Sequence, residues 1–184
     1  PWAEDACARS GALPFPAVPT DLPPDLMLTP LTAEARPVAE WTTNFHLAMV
    51  VLDPFTYESA WILDTAGRLL REYAPADCRT CFLVTGSADE AKQFLGPWAL
   101  EFLTFVDPER AAVTAMGLER LPAFLHINQR PAVESHAEGW SPDEWREVAD
   151  GLEEGRGLLG ALALHDLIEE RGADGPGHDG VHIY

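Results

Sequence analysis

Between Val84 and Trp140 the chain alternates short apolar runs with capped helical segments, then closes on "LPAFLHINQRPAVESHAEG". That last piece reads as a hairpin over Ala123–Ile127 and Ala132–Ala137, turning at Asn128–Arg130 and entered through the Leu121–Pro122 bond. Upstream, "TCFLVTG" (Thr80–Gly86) is a strand. Ser87 with Glu90 three residues later makes a capping box for a helix to about Leu95, stopped by Gly96–Pro97. "LEFLTFVD" (Leu100–Asp107) is the next strand. "DPERAAVTAMGL" follows as a helix, with Asp107 as N-cap, Pro108 at the first helical position and Gly117 at its close. Strands alternating with helices in this way suit parallel pairing, because parallel neighbours need a crossover of a dozen or more residues, usually a helix.

The same logic orders the preceding segment. Phe45–Asp53 is short and apolar and ends at Asp-Pro, so it reads as a buried strand. Tyr57–Tyr73 admits a helix or a hairpin turning at Ala66–Gly67. Crossover geometry favours the helix, with Gly67 inside it at a cost of about 1 kcal/mol for packing to offset. Ser141 caps a last core helix from Pro142, striped by Trp145, Val148, Ala149 and Leu152. The six tryptophans divide between core positions (Trp61, Trp98, Trp140, Trp145) and a leader (Trp2, Trp41).

The order β-α-β-α-β-α-β-β-α over about residues 44–154, with "DPERAAVTAMGLERLPAFLHI" and the hairpin as its most specific part, resembles the thioredoxin-like superfamily, in particular its AhpC/TSA (peroxiredoxin-like) branch. The resemblance implies an α/β fold: a central mixed sheet with three parallel strands and a C-terminal antiparallel hairpin, and helices on both faces. It also implies that Pro122 is cis and lies beside the family's reactive thiol. Residues 1–43 are then a Pro-rich N-terminal extension, 44–154 the thioredoxin-like domain, and 155–184 a C-terminal helix and tail. Half of the sixteen prolines fall in the first 40 residues. The extension is therefore expected to be extended, with one short helix near Thr32–Trp41, and either docked or loose.

In peroxiredoxin-like proteins the first strand ends in Thr-x-x-Cys. Here that place reads "LDPFTYES", so Thr56 matches the threonine and Ser59 stands where the cysteine would be. A serine hydroxyl does no thiol chemistry and needs a base to act as a nucleophile. Thr56 and Ser59 are expected to cap the following helix instead. Cys78-Arg79-Thr80-Cys81 is a Cys-x-x-Cys in an unusual place, at the entry to the second strand, and so at the opposite end of the sheet from Pro122. Three readings stand: a redox pair aided by Arg79, half of a zinc site completed by Cys7 and a histidine, or two ordinary cysteines with Cys81 buried. His178 and His182, among glycines, read as a solvated tail.

The net charge of −18 disfavours nucleic acid and anionic membrane surfaces as partners. No apolar run approaches the ~20 residues that span a bilayer, so no membrane insertion is expected. Three cysteines is an odd number, which suits a cytoplasmic protein with reduced thiols. The sequence thus predicts a thioredoxin-like protein that lacks the active-site cysteine and binds a protein or peptide, with no cofactor and an oligomer possible. The binding residues would be Pro54, Phe55, Thr56, Ser59, Leu121 and Pro122. The alternative is a thiol–disulfide oxidoreductase using Cys78 and Cys81.

Overall fold

The computed structural model describes residues 20–74 and 78–153. The expectations for Cys7, Trp2, the tail histidines and the last helix lie outside the described residues. The central strand, β4 (His46–Leu52), is buried along nearly its whole length. It is flanked by β5 (Cys78–Val84) in parallel and by β7 (Ala123–Ile127) antiparallel. β6 (Leu103–Val106) continues the parallel set and β8 (Ala132–Glu138) completes the hairpin. These five strands are the sheet expected from sequence.

The sheet is wider than that expectation. Three short strands come from residues 20–43: β1 (Thr20–Asp21), β2 (Met27–Pro30) and β3 (Arg36–Pro37). The eight strands run β1-β8-β7-β4-β5-β6-β2-β3, so the extension closes both edges. Of the two readings offered for the leader, its described part is docked. Leu22 and Leu28 are buried in the core. Proline-rich segments suit this position, since an edge strand can omit ladder donors. The helix expected from Thr32 shrinks to α1 (Val38–Trp41), because Arg36 and Pro37 pair with Leu28 and Met27 instead.

Period-two alternation sorts the side chains of β4. Ala48, Val50 and Leu52 enter one apolar cluster, with α2 (Tyr57–Tyr73), α3 (Ala88–Leu95) and α6 (Pro142–Glu153). Leu47, Met49 and Val51 enter the other, with α1 and α5 (Ala111–Ala115). Helices therefore cover both faces, as an inner parallel strand requires. In α2, Gly67 lies under the Trp98 ring, which occupies the space a Cβ would take. Trp98 belongs to a short helix, α4 (Trp98–Glu101), so β6 begins at Leu103 rather than at Leu100. The capping box at Ser87 and Glu90 forms as expected.

The start of α5 differs from the sequence reading. The helix begins at Ala111, one turn later than Pro108, with Arg110 in the left-handed region (φ 56°) as its N-cap residue. Asp107 still does the capping, but from a distance: its Oδ2 accepts from the Val113 amide at 2.9 Å. The intervening turn closes through Arg110 N to Asp107 O, 3.0 Å.

Candidate functional site

The carboxyl ends of β4, β5 and β6 converge on the turn Asp53–Thr56, and the β7 entry joins them. Ala123 pairs with Val51, so Pro122 lies beside the Leu52–Asp53 end of β4. The Leu121–Pro122 bond is cis. Three contacts hold that segment. The Glu138 carboxylate accepts from the Glu119 and Arg120 amides at 2.8 and 2.7 Å, and Gly139 N donates to Pro122 O at 2.7 Å. Gly139 is fixed in turn by the fully buried Trp145, whose Nε1 donates to its carbonyl at 2.7 Å.

Thr56 occupies the N-cap position of α2, but its side chain caps nothing, contrary to the sequence expectation. The Thr56 and Ser59 hydroxyls are 2.9 Å apart, and Thr56 Oγ1 lies 3.1 Å from the Asp53 carbonyl. Ser59 Oγ accepts from the Asp53 amide at 3.0 Å. Each hydroxyl has one proton and two lone pairs. The contacts therefore form a ring: amide to Ser59, Ser59 to Thr56, Thr56 to carbonyl. Ser59 is completely buried. Among the described residues no histidine stands beside it: the His46–His126 pair sits at the far end of β4. The Asp53 carboxylate is occupied too, Oδ1 by the Phe55 amide at 2.9 Å and Oδ2 by Arg110 at 3.5 Å.

Phe55 and Tyr57 point outward, 73% and 65% exposed. A depression of about 310 Å³ lies beside Phe55, lined by Pro54, Phe55, Glu90, Gln93 and Phe94. Of the six residues expected to bind, Pro54, Phe55, Thr56 and Ser59 share one turn, and Leu121 and Pro122 come beside its base through the β4–β7 register. The depression opens toward α3, on the β5 side, and Pro122 does not line it. Sequence reasoning missed Asp53 and Arg110. Asp53 was visible only as the end of a strand, and nothing local marks Arg110 as its partner, 57 positions away.

Cys78 and Cys81 both stand on β5, neither of them in a disulfide. They stand at the amino-terminal half of that strand: Cys78 pairs with His46 and Cys81 with Met49, away from Pro122. Their spacing of three puts them on opposite faces. Cys78 packs against the α2/α6 cluster and donates to Tyr73 O at 3.5 Å, while Cys81 belongs to the cluster on the other side. Burial, and secondarily the neighbouring Cys78, pushes the Cys81 thiol far above its ordinary range. Among the described residues no group of three or more His, Cys, Asp or Glu could hold a metal ion. The zinc reading also needs Cys7, which is outside them.

His46 and His126 share a face of the sheet, Nδ1 to Nε2 at 2.7 Å. Burial, and then the charge His46 would carry, lowers the His126 pKa to about 4.

No family model matches the sequence, and no curated protein matches it by sequence. Solved structures do match. The putative thiol:disulfide interchange protein DsbE from Chlorobium tepidum superposes with a TM-score of 0.62 at 14% identity, over 76% of this chain and 99% of its own. Peroxidoxin BcpB from Mycobacterium tuberculosis gives 0.60 at 13% identity, over 76% and 98%. A putative thioredoxin from Neisseria meningitidis gives 0.60 at 12%, over 77% and 95%.

Proposed function

Taking the thioredoxin-like fold as premise, we propose that this chain is a binding or accessory protein of the AhpC/TSA type that does no thiol catalysis at the usual position of the fold. The turn Pro54–Ser59, with Leu121 and Pro122 at its base, receives an extended peptide or a partner protein, and the chain serves as a subunit of a larger assembly. One observation carries this reading. Ser59, where the family's cysteine would stand, is buried with its oxygen given to the Asp53 amide. Exposed Phe55, beside a depression, and exposed Tyr57 supply the aromatic contact area that favours a partner surface. We place the protein in the cytoplasm with reduced thiols, on its odd number of cysteines. No helix among the described residues is long and apolar enough to cross a membrane.

Disulfide chemistry through Cys78 and Cys81 has less support. A bond between them needs Cβ atoms about 3.5–4.5 Å apart, and side chains on opposite faces of one strand point away from each other. The form of that reading that geometry leaves is a single reactive thiol at Cys78, which is partly exposed.

The test is an array of twelve-residue peptides, with binders mapped by amide chemical shifts. Binding should perturb Phe55, Thr56 and Ala123, and Phe55→Ala should weaken it about tenfold or more without lowering the melting temperature. Binders that map elsewhere would remove the turn from the account. A hydroperoxide or disulfide turnover that disappears in Cys78→Ser would replace binding with catalysis.

A further inference from the structure

At the end of the sheet remote from Ser59 lies an open depression of about 480 Å³. Its apolar walls are Trp41, Phe45 and Leu103, and its polar groups are Cys78, Arg79 and Thr80. The guanidinium of Arg79 lies 5.6 Å from the Trp41 ring centre and 5.4 Å from that of Phe45. Among the described residues it has no carboxylate and no hydrogen-bond acceptor. That is unusual in a chain with 30 acidic and 12 basic side chains, where an arginine has ample choice of partners. The two rings offer the guanidinium no oxygen acceptor, and its fork of N–H donors matches a carboxylate.

We propose that this depression is a second ligand site, for a small aromatic monocarboxylate. The acid group meets Arg79, and the flat apolar body lies between Trp41, Phe45 and Leu103. Arg79 can only donate, so an acceptor-bearing ligand suits it and a cation does not. The overall charge of −18 does not forbid an anion here, since charges beyond about 8 Å are screened at physiological ionic strength while the Arg79 contact is direct.

Cys78 lines the depression and gives the readout. In a Cys7→Ser background, maleimide labelling of Cys78 is followed with 2-naphthoate and, separately, with neutral 2-naphthamide; the Trp41 indole N–H resonance is followed in parallel. Naphthoate should protect Cys78 and shift the indole signal saturably, with an affinity about tenfold or more above that of the amide. Arg79→Gln should erase the difference between acid and amide while amide binding and the melting temperature stay as they were. Equal affinity for acid and amide overturns the proposal. So does a full naphthoate response in Arg79→Gln, or saturable naphthoate binding that moves neither Cys78 nor Trp41. Absence of any binding up to millimolar concentration overturns it as well.

Discussion

Replacing Ser59 by alanine separates a structural hydroxyl from a reactive one. Ser59 is wholly buried and its Oγ is the acceptor for the Asp53 amide at 3.0 Å. Alanine leaves that N–H without a partner, and an unsatisfied buried donor costs about 1–3 kcal/mol. Thr56 loses less, because its hydroxyl still reaches the Asp53 carbonyl at 3.1 Å. The helix recovers roughly 0.5 kcal/mol, since alanine is the better helix former. The net loss should be about 1–2 kcal/mol. For a chain of this size each kcal/mol moves the melting temperature by about 2–4 °C, so Ser59→Ala should melt some 2–8 °C lower. Circular dichroism at a fixed heating rate measures this, and amide exchange at Asp53 should accelerate in the variant. An unchanged melting temperature would refute the ring. If labelling by a serine-directed phosphonate also disappeared in the variant, Ser59 would return to the list of nucleophiles.

Two further outcomes follow from the packing. His126 is buried, with its pKa lowered to about 4 from an ordinary 6.5, so the unfolded chain takes up a proton before the folded one does. Stability is therefore full above about pH 6.5 and falls as pH drops toward about 4, by at most about 3 kcal/mol from this residue. Urea midpoints at pH 7, 5.5 and 4.5 should show a loss that His126→Gln lacks; identical pH slopes in the two proteins would contradict the burial argument. Gly67→Ala should destabilise even though alanine is favoured in a helix by about 1 kcal/mol. The added Cβ would fall 2.5–2.7 Å from three atoms of the Trp98 ring, and overpacking of this kind costs about 1–3 kcal/mol. A denaturant midpoint at or above the wild-type value would show that the ring moves aside freely.

The sequence by itself determined the order of elements from His46 onward, the capping box at Ser87 and the hairpin after Pro122. Each of these is written in local signals: an apolar run, a cap three residues from its partner, a proline before a strand. It also put a serine, Ser59, just after the turn that ends the first long strand. Only the tertiary structure decided what that serine does, because its partners are a backbone amide and a second hydroxyl whose geometry no spacing reports. Tertiary structure likewise decided that residues 20–43 close both edges of the sheet, that Arg110 faces Asp53, and that Arg79 rests on Trp41 and Phe45. Those pairs lie far apart along the chain or on opposite sides of a loop. Their meeting is set by strand register and helix packing, which the whole core fixes together and no local stretch encodes.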